Sequence, residues 1–112
     1  MMAIEKGNDN AMYNLGCYYY DIEENYSKAI EYFKMAIEKG NSHAMINLGN
    51  YYYFIEKKYT KTFEYYMMAI EKSNDDVLIC LGYYYHYHKE NYPKAIEYYI
   101  MSIKKKIKLK MY

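Results

Sequence analysis

The feature that most constrains this chain is a block of sequence that recurs at a fixed interval. Met-Ala-Ile-Glu-Lys begins at Met2, Met35 and Met68, and a diverged version, Met-Ser-Ile-Lys, begins at Met101. The interval is 33 residues each time. A strict period of roughly 20 to 50 residues is typical of stacked supersecondary units, each of which packs on its neighbours in sequence. We therefore expect one repeat domain over residues 1–112.

Each repeat holds two segments whose apolar residues follow helical spacing. In the first repeat these residues recur at steps of one, three and four, which places them on one face of a helix. They are Ala11, Met12, Leu15, Gly16 and Tyr19 in the first segment, and Ala29, Ile30, Phe33, Ala36 and Ile37 in the second. The predicted helices are Asp9–Asp21, Ser27–Lys39, Ser42–Phe54, Thr60–Lys72, Asp75–Tyr87 and one that begins at Pro93. No segment alternates with period two, so the predicted fold is all-α, a stack of antiparallel helix pairs.

Capping residues place the ends of these helices. Asp9, Ser42 and Asp75 are predicted as N-caps, because a short polar side chain can accept from the first free amides of a helix. Gly7 and Gly40 are predicted to end second helices, where a left-handed residue is favoured. The predicted organisation is a partial repeat at 1–7, which resembles the tail of a second helix, repeats at 8–40, 41–73 and 74–106, and a basic tail at 107–112.

Three glycines fall in the middle of predicted first helices. Gly16, Gly49 and Gly82 occupy the same position of successive repeats. Glycine inside a helix costs about 1 kcal/mol relative to alanine. Its recurrence at one repeat position predicts that a neighbouring helix passes too close for a side chain.

Over nearly its whole length the chain resembles the tetratricopeptide repeat and its Sel1-like relatives, both at these glycines and at other positions of each repeat. The matching residues are Met12, Leu15, Gly16, Tyr19, Ala29, Phe33 and Ala36 in the first repeat, Met45, Leu48, Gly49, Tyr52, Thr62, Tyr66 and Ala69 in the second, and Leu78, Leu81, Gly82, Tyr85, Ala95, Tyr99 and Ser102 in the third. The resemblance implies a right-handed α-solenoid that binds proteins or peptides as a scaffold. The period departs from the usual tetratricopeptide length by one residue, and the terminal proline is missing.

Charge is distributed unevenly. All 15 basic residues are lysine, and with 20 tyrosines this is a composition that AT-rich coding sequences favour. Five lysines and no acid lie in the last nine residues, Lys104–Tyr112, against a net charge of −4 elsewhere. The tail is interpreted as the polar face of a terminal helix, and the alternative is an electrostatic anchor to anionic membrane or nucleic acid. No apolar run is long enough to span a membrane and no signal sequence is recognisable, so we expect a cytoplasmic protein.

Residues with catalytic or metal-binding chemistry do not converge in the sequence. Cys17 and Cys80 occupy non-equivalent repeat positions and are expected to be reduced thiols. His86 and His88 are two residues apart, which points them in different directions on a helix. We therefore expect no catalytic residue, no metal and no cofactor, and the chain is predicted not to be an enzyme.

The remaining candidate site is the concave face that the family resemblance assigns to the first helices. With Leu15, Gly16 and Tyr19 turned inward, twelve other positions form a predicted protein-binding groove. They are Asn10, Tyr13, Cys17 and Tyr20 in the first repeat, His43, Ile46, Asn50 and Tyr53 in the second, and Asp76, Ile79, Tyr83 and His86 in the third. The alternative is that these tyrosines only cover neighbouring repeats.

The predicted partner is a protein or peptide, and nucleic acid and membrane are less favoured partners. Met1–Lys6 is too short to cover the first complete helix, so self-association through that end is also expected. Because the chain starts inside a repeat, a fragment of a longer repeat protein is a further alternative.

Overall fold

Six α-helices account for most of the chain in the computed structural model, which describes residues 8–110. They are α1 (Asp9–Asp21), α2 (Tyr26–Glu38), α3 (Ser42–Phe54), α4 (Tyr59–Glu71), α5 (Val77–Tyr83) and α6 (Tyr92–Lys110). A π-helical segment, Tyr84–His88, continues α5. Residues 8–110 contain no β-strand, which confirms the all-α prediction. None of the described helices has the length and apolar character needed to cross a bilayer.

The helices pack in sequence order within two compact units. The first unit ends at Lys72, and in it α1 packs on α2, α2 on α3, and α3 on α4. The second unit begins at Ser73, and in it α5 and its π-helical extension pack on α6. This confirms the predicted pairing of helices. The predicted helix within 1–7 and the helix end at Gly7 lie outside the described residues.

The three repeated glycines lie where an aromatic ring from the paired second helix meets the first helix. A Cβ added to Gly16 would lie 2.6 Å from Phe33, and one added to Gly49 would lie 2.7 Å from Tyr66. At Gly82 the corresponding distance to Tyr99 is 2.5 Å. Because carbon atoms in contact prefer about 3.5–4.0 Å, no side chain fits at these positions. The predicted close approach is confirmed.

A tyrosine pair with a lysine over it recurs in each repeat. Tyr19 stacks on Tyr32 with ring centroids 5.7 Å apart, and the ammonium of Lys28 lies 5.3 Å from the Tyr19 ring centre. The same arrangement is formed by Tyr52, Tyr65 and Lys61, and by Tyr85, Tyr98 and Lys94. Stacked rings and a cation over an aromatic face each stabilise a fold modestly. In each repeat a tyrosine of the first helical segment thus packs against the second helix.

The predicted N-caps Asp9, Ser42 and Asp75 are wrong. Helix α3 is capped one residue earlier by Asn41, whose Oδ1 accepts from the Ala44 amide at 3.0 Å. Asp9 is the first residue of α1, and its carboxylate accepts from Asn41 Nδ2 at 2.9 Å. Because that carboxylate binds across to another helix, it leaves its own helix uncapped. Asp75 precedes Asp76, which is the residue at the N-terminal boundary of α5.

Asparagine also begins two second helices. Asn25 accepts from the Lys28 amide and Asn91 from the Lys94 amide, each at 3.2 Å. These helices therefore start one residue earlier than predicted, at Tyr26 and Tyr92. Gly40 behaves as predicted: its φ is +88°, and the amides of Gly40 and Asn41 bond to carbonyls of the last turn of α2.

Replacing Asn41 by alanine is expected to lower the free energy of unfolding by about 2 kcal/mol. The change removes the N-cap of α3. It also removes the hydrogen bond that the buried side-chain amide of Asn41 donates to the Asp9 carboxylate. Urea unfolding followed by circular dichroism measures the loss. Asn25→Ala is the matched control, because Asn25 is an exposed cap with no bridge to another helix, and its loss should be about 1 kcal/mol or less. Equal losses in the two variants would show that the Asn41–Asp9 bridge contributes nothing.

Candidate protein-binding groove

The predicted groove positions of the first unit lie on α1 and α3 with graded exposure. Asn10 and His43 are exposed, near the N-terminal ends of their helices. The partly exposed positions are Tyr13, Cys17, Tyr20, Asn50 and Tyr53. Ile46 is an exception, since only 8% of it is exposed and it belongs to the core. The predicted apolar contact at Ile46 is therefore wrong, because packing inside the first unit already covers this side chain.

A pocket of about 130 Å³ opens between α1 and α3 and is lined by Tyr20, Asp21, Asn47 and Asn50. Asn50 is fixed by α4, because its Oδ1 accepts a hydrogen bond from the Tyr66 hydroxyl. Asn47 donates from Nδ2 to the Cys17 sulfur at 3.5 Å. The pocket thus combines an aromatic ring, a carboxylate and two amides on helices that hold them in place.

Sequence reasoning missed two of these four lining residues. Asp21 directly follows Tyr20 at the last position of α1, and Asn47 lies about one helical turn before Asn50. Residues three apart on a helix lie on the same side of it. That spacing was the available signal for Asn47. Asp21 was assigned to a helix end and was not considered as part of the groove.

Burial favours the neutral forms of two phenols and one thiol beside this pocket. It raises the pKa of Tyr13 to about 12, with a smaller contribution from the hydrogen bond to Cys17. Burial is also the largest cause of the raised pKa of the Cys17 thiol, and the Asp21 charge acts in the same direction. The pKa of Tyr20 is raised by burial, then by Tyr26 and Asp21. Asp21 is therefore close enough for its charge to influence three groove side chains.

Two groove tyrosines of the first unit, Tyr20 and Tyr53, are held by neighbouring rings. Tyr20 lies 5.0 Å from Tyr26 and 6.4 Å from Tyr51 between ring centroids. Tyr53 has Phe54 at 4.8 Å and Tyr59 at 5.3 Å. Rings packed in this way are restricted before any ligand arrives, which lowers the entropy cost of binding.

The predicted positions of the second unit lie on α5 and its π-helical extension. Asp76, Ile79 and Tyr83 are exposed, and His86 is partly buried. His86 Nδ1 lies 3.2 Å from the Tyr99 hydroxyl, so this imidazole is bonded to α6. The π-helical turn that carries His86 was not predicted, since the sequence indicated one regular helix to Tyr87.

Neither metal nor disulfide chemistry is found among residues 8–107. No cluster of three or more metal-ligating side chains occurs in this part of the chain. Cys17 and Cys80 are both free thiols. The pocket of the first unit offers the amides of Asn47 and Asn50, the ring of Tyr20 and the carboxylate of Asp21.

Residues 9–41, 42–74 and 81–106 match the family model of the Sel1 repeat. The chain belongs to the Sel1 repeat family. This confirms the resemblance inferred from the Leu-Gly and Ala-aromatic-Ala positions. Sel1 repeats generally mediate protein–protein interaction. A search of curated protein sequences found no match.

The fold is similar to that of a solved structure described as immunity protein Pa5087 from Pseudomonas aeruginosa. The two share 19% sequence identity with a TM-score of 0.66, over 86% of this chain and 41% of that one. The chain thus spans less than half the length of this neighbour. At this identity the likeness establishes the fold.

Proposed function

We propose that this Sel1 repeat chain is a non-catalytic scaffold that holds an extended segment of a partner protein in the groove of its first unit. The observation that supports this most directly is the pocket lined by Tyr20, Asp21, Asn47 and Asn50. It lies among the positions that the repeat pattern assigns to the groove. Preformed concave sites with a few fixed polar groups are typical of binding sites.

The two asparagines suit the backbone of an extended peptide. An asparagine side chain both donates and accepts hydrogen bonds, as a peptide group does. Asn50 uses Oδ1 for Tyr66, so its Nδ2 can donate to a ligand carbonyl. Asn47 uses Nδ2 for Cys17, so its Oδ1 can accept from a ligand amide. The ring of Tyr20 provides an apolar wall for a side chain between them.

The charge of the pocket favours a cationic side chain in the ligand. Asp21 is acidic, and neither α1 nor α3 contains a lysine. A lysine or arginine of the partner would therefore meet an attractive potential with no competing cation on these two helices. We propose an extended peptide with a basic residue as the ligand of this pocket.

Two further aspects of the proposal, and the alternative to it, rest on smaller observations. The raised pKa of Cys17 keeps its thiol protonated at neutral pH, which does not suit a nucleophile. The free thiols suit a reducing compartment such as the cytoplasm. The exposed side chains of Lys104, Lys105 and Lys106 support the alternative function, an electrostatic anchor to anionic membrane or nucleic acid.

A synthetic peptide array probed with the purified chain tests the groove. The wild-type chain should select peptides with lysine or arginine, and Asp21→Asn should lose that preference. Tyr53→Ala should weaken the selected peptides by on the order of 2 kcal/mol, since it removes an aromatic anchor from the groove. Glu31→Gln, an exposed carboxylate on α2, is the matched control and should change nothing.

Deletion of Lys104–Tyr112 separates the groove from the lysine tail. The groove proposal expects peptide binding to survive this deletion. Binding that persists in Tyr53→Ala and Asp21→Asn but disappears with the tail, and that falls steeply with salt, would assign the interaction to the electrostatic anchor.

A further inference from the structure

Helix α6 carries an exposed apolar stripe along one side. Ile96, Ile100, Ile103 and Ile107 follow steps of four, three and four, so their side chains lie in one row on the helix. All four are exposed, and 45% of Ile100 is accessible. A row of this length on the outside of a helix marks an interaction surface.

The same repeat positions are used for stacking inside the first unit. Ile30 and Ile37 of α2 lie two periods before Ile96 and Ile103. They pack against the cluster that contains Leu48 and Tyr51, and Leu48 is fully buried there. Ile96 and Ile103 of the α6 stripe therefore repeat the positions that receive the first helix of a following repeat.

The matching first-helix surface is exposed on α1. Leu15 and Tyr18 lie one period before Leu48 and Tyr51, and with Ile22 they form an exposed row at steps of three and four. Leu15 is 41% accessible, whereas its counterpart Leu48 is buried, so the expectation that Leu15 turns inward is wrong. The chain thus exposes both halves of an interface that it also forms internally, one on α1 and the other on α6.

Charge favours joining these two surfaces over joining either to itself. Four acids and no lysine lie in residues 8–27, which include α1. Five lysines and no acid lie in residues 98–112, which include most of α6. Opposite charges attract, whereas two lysine-rich α6 surfaces repel each other. We propose that a second copy of this chain docks head to tail, with its α1 row on the α6 stripe.

Such contacts are heterologous, so the copies join either in a closed ring or in an open chain. The weight-average mass of the 112-residue chain in sedimentation velocity should therefore rise above that of the monomer over about a hundredfold range of micromolar concentration. Leu15→Lys and Ile103→Lys should each weaken association by at least about tenfold, because each places a charge in an apolar contact.

A mixture of the two variants gives the decisive result. Leu15→Lys retains an intact α6 stripe and Ile103→Lys retains an intact α1 row, so the mixture should form a one-to-one dimer and stop there. Met101→Lys, an exposed α6 position beside the stripe, is the matched control and should associate like wild type. Tyr18→Lys and Ile96→Lys form a second pair at exposed positions, should either first variant fail to fold by circular dichroism.

Four results would overturn the proposal. A wild-type chain that stays monomeric throughout excludes it. Leu15→Lys that still dimerises alone indicates α6 on α6, and Ile103→Lys that does so indicates α1 on α1. A mixture of folded variants that remains monomeric also excludes head-to-tail docking.

Discussion

Gly49→Leu is expected to lower the free energy of unfolding by about 3 kcal/mol, because the new side chain overpacks the contact between α3 and α4. Even its Cβ would lie 2.7 Å from Tyr66 Cε1 and 3.4 Å from the Thr62 carbonyl oxygen. Tyr66 and Thr62 are both buried, and Tyr66 is also bonded to Asn50, so the ring has little room to move. Chemical denaturation measures the loss. A variant as stable as wild type would contradict the packing of this glycine.

A double-mutant cycle provides the control for this prediction. Gly49→Ala alone should destabilise the chain, although alanine is the better helix former by about 1 kcal/mol. In a Tyr66→Leu background the ring that blocks the Cβ is gone. There the cost of Gly49→Ala should shrink markedly or change sign. An unchanged cost would show that the Tyr66 ring is not the obstacle.

Raising the pH from 10 to 12 is expected to destabilise the chain strongly. The pKa of Tyr51 is raised from 10.0 to about 12, by burial first and then by its hydrogen bond to Glu56, and that of Tyr13 is also raised to about 12. Below pH 10 both phenols are protonated in the folded and unfolded chain, so stability is unaffected. Between pH 10 and 12 they ionise mainly in the unfolded chain, which draws the equilibrium toward unfolding.

The expected loss from Tyr51 alone is about 2 kcal/mol at the upper end of this range, since one pKa unit corresponds to about 1.4 kcal/mol. Thermal melts at several pH values measure it. A chain with Tyr13→Phe and Tyr51→Phe should lose less stability between pH 10 and 12 than wild type. Tyr92→Phe, at an exposed tyrosine, should leave the pH profile unchanged. Identical profiles for all three chains would mean that these two phenols do not govern alkaline unfolding.

The sequence by itself determined the repeat length, the helix pairs and the close contacts at Gly16, Gly49 and Gly82. These features follow from local rules: apolar residues at helical spacing define a buried face, and a glycine repeated inside helices implies a neighbour at short distance. The helix end at Gly40 was equally predictable, because glycine adopts the left-handed conformation that ends a helix more easily than other residues do.

Only the tertiary structure decided features that depend on a partner elsewhere in the chain. Asp9 has the chemistry of an N-cap, but the Asn41 amide on another helix binds it. Ile46 has a groove position by register, but it is buried in the core of the first unit. The pocket of Tyr20, Asp21, Asn47 and Asn50 needs two helices set side by side. The spacing of residues along one helix predicts which side of that helix each residue faces. Burial, hydrogen bonding and pocket shape depend instead on where a second helix lies, and the spacing carries no information about that.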